Sequence, residues 1–149
     1  MRNSDIKTSI DDIQFKTKVV CIVKTSRGFL FEKSDYDYIF VVGGKVSINE
    51  TLEEAVQREM KEELGMDVKS TTLCAVIENL YGKDSQKIHE MNFVYTVHDV
   101  FTGPIPEGFL EVSSEDLEKF DIRPSSIVGL LRNKGNQLQY IIVNEWKAY

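Results

Sequence analysis

The order of the predicted elements favours an α+β fold. Several strands precede one long helix, more strands follow it, and one or two short helices come near the end of the chain. Strands that do not alternate regularly with helices favour an α+β or sandwich arrangement over a doubly wound parallel sheet. The length of 149 residues suits one hydrophobic core. We therefore expect a single domain over residues 1–149.

The first third of the chain predicts three strands. Residues 1–14 are polar, and we expect a loose lead-in or a short extra strand there. Residues 15–23 are rich in β-branched side chains and predict a buried strand. A turn at 26–28 followed by the run FLFEK predicts a hairpin. A further strand is expected over 36–42, with its end at the pair Gly43-Gly44.

The second half predicts more strands and two short helices. Two long strands are expected over 71–81 and 88–100, and the polar segment 82–87 should form the loop between them. Ser113 and Asp116 have the spacing of a helix start, which predicts a capped helix over 113–120. A short helix over 125–132, after Pro124, and a last strand over 139–143 complete the chain.

Composition excludes some classes of protein. The 18 basic and 24 acidic side chains give a net charge of −6, which disfavours nonspecific binding to nucleic acids. The N-terminal segment lacks an apolar signal core, and no stretch is long enough to span a bilayer. We therefore expect a cytoplasmic protein without a membrane partner. Cys21 and Cys74 lie in apolar runs, which predicts core positions instead of a disulfide or a metal site.

The clearest helix covers residues 51–64. Thr51 and Glu54 have the spacing of a capping box. Gly65 is suited to the left-handed conformation just beyond the helix, from which Met66 can fold back. At 100° per residue, a broad apolar arc should face the core. The arc contains Leu52, Ala55, Val56, Met60 and Leu64.

Three glutamates share that arc. Glu59 and Glu63 align with Leu52, and Glu62 lies beside Ala55, so the core-facing side should become acidic in its last two turns. Such like-charge pairs cost about 0.2–0.5 kcal/mol each even when exposed. A divalent cation that prefers carboxylate oxygens, Mg²⁺ or Mn²⁺, would remove this cost. A solvated acidic face is the alternative, but it would expose Ala55 and Leu52 as well.

Arg58 and the glycine pair flank these acids. Arg58 lies four residues from both Glu54 and Glu62, and its guanidinium could hold a ligand carboxylate in one orientation without contacting the metal. An ordinary surface ion pair, worth less than about 1 kcal/mol, is the alternative. Gly43-Gly44 would let the backbone approach a phosphate or metal closely.

Together these residues resemble the Nudix box, Gly-x5-Glu-x7-Arg-Glu-(apolar)-x-Glu-Glu-x-Gly-(apolar). The matching positions are Gly44, Glu50, Arg58, Glu59, Met60, Glu62, Glu63, Gly65 and Met66. The resemblance implies a Nudix-type α/β/α sandwich with a mixed β-sheet, in which the box forms a loop–helix–loop motif. It also implies a small-molecule nucleotide-type substrate and is compatible with a homodimer.

The resemblance further implies a metal-dependent site. Glu59, Glu62 and Glu63 would be the ligands of Mg²⁺ or Mn²⁺, with the Gly44 carbonyl as an additional ligand. Glu50, whose role varies within the family, would be an outer ligand. The metal would activate a water for attack at phosphorus. The general base would be Glu62, Glu63 or an acid outside the box.

Residues outside the box supply candidates for substrate binding. Glu90 is favoured slightly as the general base or as a contact to the edge of a nucleobase. Phe40 and Tyr81 could stack on a nucleobase. Tyr81 follows Met66 by fifteen positions, where the resemblance hints at dinucleoside polyphosphates. Core packing is expected for Phe93 and Tyr95, and solvent exposure for Glu78, His89 and His98.

Three functions remain in competition. The first is hydrolysis of a phosphoanhydride bond in a nucleoside diphosphate linked to another moiety, as in a dNTP, ADP-ribose, a dinucleoside polyphosphate or a nucleotide sugar. The second is a non-catalytic nucleotide sensor on the same fold. The third is an acidic helix that serves a protein interface without a metal.

Overall fold

A computed structural model describes residues 4–83, 85–132 and 137–148 of the chain. Within these residues nine strands form one sheet. The strands are β1 (Lys7–Ile10), β2 (Ile13–Thr25), β3 (Gly28–Lys33), β4 (Tyr38–Lys45), β5 (Thr71–Lys83), β6 (Gln86–Phe101), β7 (Phe109–Ser113), β8 (Asp121–Arg123) and β9 (Gln139–Asn144). The α-helices are α1 (Leu52–Leu64) and α2 (Ile127–Arg132), and two 3₁₀ helices cover Ser114–Lys119 and Glu145–Ala148.

The sheet is mixed, as predicted. Its main order is β7-β3-β4-β2-β6-β5-β9, while β1 pairs with β2 and β8 pairs with β4. The central strand β2 runs parallel to β6 and antiparallel to β4. The pairs β4–β8 and β5–β9 are also parallel, and β5–β6 is antiparallel. The α+β fold class is therefore confirmed.

Each face of the sheet carries its own apolar core, because side chains alternate between the faces along a strand. On β2, Val19, Cys21 and Val23 belong to the core beneath α1, while Val20 and Ile22 belong to the core on the opposite face. Helix α1 contacts β4 and β2. Helix α2 contributes its buried Ile127 to the opposite core. The two cores give the predicted α/β/α sandwich.

Helix α1 begins and ends where the sequence predicts. The Thr51 hydroxyl accepts from the Glu54 backbone N–H at 3.1 Å, and the Glu54 carboxylate accepts from the Thr51 N–H at 3.4 Å. Gly65 adopts φ 67°, and the Met66 N–H donates to the Met60 carbonyl at 3.1 Å. The predicted apolar arc is confirmed, since Ala55, Val56 and Met60 are fully buried and Leu52 and Leu64 pack against them.

Several strands are longer than predicted. The prediction that the strand ends at Gly43-Gly44 is wrong, because both glycines pair with β2 and β4 continues to Lys45. The expected loop over 82–87 is shorter, because antiparallel pairing of β5 and β6 continues as far as Lys83 and Gln86. Of the two alternatives for residues 1–14, the described part contains the short extra strand β1.

The C-terminal third differs in detail. The segment after Ser113 is a 3₁₀ helix, and Ser113 makes no side-chain cap hydrogen bond to its backbone. Its hydroxyl bonds the Asp116 carboxylate instead, which helps to lower the pKa of Asp116 after the larger effect of Lys119. Strand β8 was not predicted, and α2 begins later than expected, at Ile127. The last strand is confirmed as β9.

Both cysteines are free, as predicted, with Cys21 fully buried and Cys74 packed against the second core. Among the described residues, no helix is long and apolar enough to cross a membrane.

Candidate active site

Arg58 connects the start of the motif to its acidic end. Its Nε and Nη2 donate to the two carboxylate oxygens of Glu50 at 2.7 and 2.9 Å. Nη1 donates to Glu59 Oε1 at 2.8 Å and, more weakly, to Glu62 Oε2 at 3.4 Å. Nη2 also donates to the Lys45 carbonyl at 3.0 Å. The guanidinium therefore joins the end of β4, the following loop and α1.

Glu50 fixes the loop between β4 and α1. Besides the fork from Arg58, Glu50 Oε1 accepts from the Ser47 backbone N–H at 2.9 Å. A bidentate pair of this kind restricts both partners to one orientation. Both oxygens of Glu50 are thus engaged by N–H donors. Its expected role as an outer metal ligand stays a prediction.

The expected partnership of Arg58 with Glu54 is wrong. The Glu54 carboxylate bonds the Thr51 N–H in the capping box, at the exposed start of the helix. Helical spacing alone cannot identify the true partner, because Glu50 lies outside the helix and reaches Arg58 only after the loop folds back. The expected contact with Glu62 is confirmed.

Glu59 is a buried carboxylate placed directly above Gly44. Only 7 % of the residue is exposed. A β-carbon on Gly44 would overlap the Glu59 carboxylate, so this approach requires glycine. Burial raises the pKa of Glu59, and the hydrogen bond and charge of Arg58 oppose that rise.

Gly43 needs to be glycine for a different reason. A β-carbon there would overlap the carbonyl oxygen of Val19 on the neighbouring strand. The glycine pair therefore permits two close approaches, that of Gly43 to the backbone of β2 and that of Gly44 to the Glu59 carboxylate.

Glu62 and Glu63 are exposed, so the expectation that all three glutamates face the core is correct only for Glu59. The side chain of Glu62 is 51 % exposed. A helical position on the apolar arc does not fix the place of the charge, because a long side chain can carry its head group to the rim of the packed layer. The two carboxylates thus lie at the open end of the site, beyond the buried one.

Glu32 is an acid that the sequence analysis missed. Burial raises the pKa of Glu32, and the charges of Glu63 and Glu59 raise it further, while Lys18 opposes them. Glu32 belongs to β3, two residues after the buried Leu30, and therefore points to the same face as Leu30 and α1. The signal in the sequence was an acid at a position of β3 where the alternation of side chains predicts a core-facing residue.

The donor chemistry of this region fits a hard divalent cation. Among residues 4–83, 85–132 and 137–148, no three acidic, histidine or cysteine side chains already surround one point. Nevertheless, Glu59 fills the space left by the missing side chain of Gly44, and its neighbours are Glu62, Glu63 and the nearby Glu32. Carboxylate oxygens are the ligands that Mg²⁺ and Mn²⁺ prefer.

A cavity of about 540 Å³ lies on the other side of the glycine pair. It brings together the three predicted substrate contacts, Phe40, Tyr81 and Glu90, and extends to Gly43. Glu90 is buried, and its Oε2 accepts from the Tyr81 hydroxyl at 3.3 Å and lies 3.4 Å from Lys16 Nζ. The box glutamates are not among the residues that line this cavity.

Two aromatic residues and two histidines outside the box lie in the core, at the surface or against aromatic rings. Phe93 and Tyr95 belong to the core beneath α1, as predicted. His98 is exposed, as predicted, and contacts the Thr72 hydroxyl at 2.8 Å. The expected exposure of His89 is wrong, because its ring makes edge contacts with Phe15 and Trp146.

Glu78 is also only partly exposed, contrary to expectation. Strand β9 pairs with β5 in the sheet, and Glu78 of β5 hydrogen-bonds Tyr140 of β9.

Comparison with known proteins agrees with this architecture. The chain resembles a MutT protein from Bacillus halodurans, with 18 % identity, a TM-score of 0.68 and coverage of 87 % of this chain and 91 % of that one. It also resembles a MutT NUDIX hydrolase from Burkholderia pseudomallei, with 23 % identity, a TM-score of 0.65 and coverage of 80 % and 99 %. These likenesses support the fold.

A curated relative matches a shorter segment. The regulator of sigma-W protease RasP from Bacillus subtilis (strain 168) is 36 % identical over 56 residues, which are 38 % of this chain and only 12 % of that protein. The sequence model of the NUDIX domain, in contrast, matches residues 13–137. That match covers most of the chain and includes every position of the glutamate motif, so the protein belongs to the NUDIX domain family.

Proposed function

We propose that the protein is a metal-dependent hydrolase that cleaves a phosphoanhydride bond in a nucleotide-type small molecule. The observation that carries the proposal is the placement of Glu59. This buried carboxylate lies against a glycine, is oriented by Arg58, and is followed along the helix by the exposed Glu62 and Glu63. A buried carboxylate paired with an arginine adds little to the stability of a helix, whereas carboxylate oxygens are the ligands that Mg²⁺ and Mn²⁺ prefer.

Mg²⁺ or Mn²⁺ would be held by Glu59, Glu62 and Glu63, with the Gly44 carbonyl as a further ligand. When bound, such a cation lowers the pKa of a coordinated water and neutralises charge on phosphate oxygens.

The protein's own groups prepare this site. Arg58 holds Glu59 and Glu62 in one place and ties them to the loop through Glu50. Glu62, Glu63 and, from outside the box, Glu32 are the candidates for the base that removes a proton from the attacking water. Glu32 suits that task by position, because it lies on the face of β3 that α1 covers and interacts with Glu63.

The cavity would bind the organic part of the substrate. Lys18 lines it and would attract an anion, whereas Lys16 and Arg123, which also line it, are paired with Glu90 and Asp121. Phe40 and Tyr81 offer aromatic rings against which a heterocycle can stack. Because Gly43 lines the cavity and Gly44 contacts Glu59, a phosphate chain passing the glycine pair would connect the two regions.

A substrate panel tests the proposal. ADP-ribose, dinucleoside polyphosphates, canonical and oxidised dNTPs and nucleotide sugars are incubated with Mg²⁺, with Mn²⁺ or with EDTA, and phosphate-containing products are measured. We expect turnover of at least one substrate class with the cation and none with EDTA. Tight binding across the panel without turnover would instead support a nucleotide sensor.

A further inference from the structure

The floor of the cavity is polar where the sheet would otherwise be apolar. Along β2, Lys16 and Lys18 occupy the face that Val20 and Ile22 occupy further on. Along β6, Glu90 and Asn92 precede Val94 on that same face. Parallel pairing places Lys16 opposite Glu90 and Lys18 opposite Asn92.

Asn92 is the unexplained member of this group. It is 1 % exposed, and its Nδ2 has no hydrogen-bond partner among the described residues. A buried N–H group without a partner destabilises the folded protein. Val94, two residues along on the same face, shows that an apolar side chain suits this surface. The Nδ2 group therefore makes no hydrogen bond within the described fold, and it belongs to a residue that lines the cavity.

Glu90 supplies the complementary group. Its contacts with Tyr81 and Lys16 both fall on Oε2. Residues two apart on a strand point to the same face. An acceptor at Glu90 and a donor at Asn92 therefore face the same cavity from neighbouring positions of β6.

We propose that Asn92 and Glu90 recognise a nucleobase edge on which a carbonyl lies beside an N–H, as in guanine and hypoxanthine. Asn92 donates to the carbonyl oxygen, and Glu90 accepts from the N–H. This assignment rests on the proposed function, which makes the ligand a nucleotide. It adds that the protein selects a nucleobase with a carbonyl beside an N–H.

The chemistry of the two groups favours this edge over that of adenine. A carbonyl oxygen accepts two hydrogen bonds, and two donors lie next to Glu90, the Lys16 ammonium on the paired strand and the Asn92 amide two residues further along β6. The ring nitrogen of adenine has one lone pair. Guanine also presents two neighbouring N–H groups to a carboxylate, whereas the corresponding edge of adenine presents only its amino group as a donor.

The surrounding groups agree with a base at this position. Tyr38 and Phe40 contribute rings to the wall, and the Arg123 guanidinium lies 4.4 Å from the centre of the Tyr38 ring. Lys18 lies on β2 between Lys16 and Val20, and Val20 pairs with Gly43 of β4. A nucleotide with its base above Glu90 and Asn92 would therefore direct its phosphates past Lys18 towards the glycine pair.

Equilibrium binding of mononucleotides tests the inference. GMP, IMP and AMP are titrated into the protein, and binding is followed by calorimetry and by the fluorescence of Trp146, the one tryptophan in the sequence. We expect GMP and IMP to bind at least about tenfold more tightly than AMP, the factor expected when a buried donor loses its acceptor. Equal affinities, a preference for AMP, or no measurable binding would overturn the proposal.

Two variants assign the preference to its residues. Asn92→Leu should bring the three affinities within about threefold of each other, and its melting temperature should not fall, because the substitution removes an unpaired buried amide. Glu90→Gln should reduce the advantage of GMP over IMP. The control Gln137→Leu, which removes an amide at an exposed position, should leave every ratio unchanged. An unchanged preference in Asn92→Leu would contradict the assignment.

The result is independent of catalysis. Mononucleotides contain no phosphoanhydride bond, so the affinities for GMP, IMP and AMP can be compared even if the protein hydrolyses no substrate. Absence of turnover across the substrate panel would remove the proposed hydrolase activity while leaving a measured base preference intact. If Asn92→Leu does not fold, the comparison of the three nucleotides on the wild-type protein decides.

Discussion

The carboxylate of Glu59 occupies the space into which a side chain at Gly44 would extend. This contact joins strand β4 to the acidic half of helix α1 and makes the position of each dependent on the other. It also explains why a glycine occurs in a strand, where that residue is normally unfavourable.

Replacement of Gly44 by alanine tests this contact. The added methyl group would displace the Glu59 carboxylate, the flexible end of a side chain, so Gly44→Ala should cost only about 1 kcal/mol of stability but reduce turnover by about 100-fold or more. Urea unfolding and initial rates measure the two effects. The control Gly129→Ala lies in α2 with open space around it and should stabilise slightly. Normal activity in Gly44→Ala would show that the contact is dispensable.

The fork between Arg58 and Glu50 predicts that lysine cannot replace this arginine. Lysine keeps the charge but cannot make two parallel hydrogen bonds, so Arg58→Lys should lose about 1–3 kcal/mol of stability. Turnover should fall as well, because Glu59 and Glu62 lose their positioning. The control Arg132→Lys alters an exposed pair with Glu118 and should change stability by less than about 0.5 kcal/mol. Equal behaviour of the two variants would refute the special role of Arg58.

Cation binding should be visible as thermal stabilisation. A ligand at a hundred times its Kd adds about 2.7 kcal/mol to the folded state, which raises the Tm of a protein of this size by roughly 5–11 °C. We expect such a shift with Mn²⁺ for the wild type and a much smaller one for Glu59→Gln. Glu54→Gln is the matched control, because glutamine preserves the capping box and Glu54 is exposed in the first turn of α1, at the opposite end from Glu62 and Glu63. Equal shifts in all three proteins would place the bound cation elsewhere.

The sequence predicted those parts of the site that local spacing determines. The capping box at Thr51, the left-handed Gly65 and the apolar arc each depend on residues within one or two helical turns, and all three are confirmed. The strand order also predicted the fold class, because it depends on the succession of elements alone.

Features that depend on distant parts of the chain were missed. Arg58 pairs with Glu50 across a loop, and Glu32 approaches Glu63 from another strand, so helical spacing could identify neither. The exposure of Glu62 was misjudged because a helical wheel places the backbone and not the carboxylate. Asn92 was missed as well, although it lies between Glu90 and Val94 on one face of a predicted strand.

The central claim is that the helix glutamates support metal-dependent cleavage of a phosphoanhydride bond. The most direct measurement compares the wild type, Glu63→Gln and the control Glu54→Gln, each with Mg²⁺ and with EDTA, on the substrate that the panel identifies. We expect Mg²⁺-dependent product release in the wild type and in Glu54→Gln, and a loss of at least about 100-fold in Glu63→Gln. Full activity of Glu63→Gln, or full activity of the wild type in EDTA, would contradict the claim.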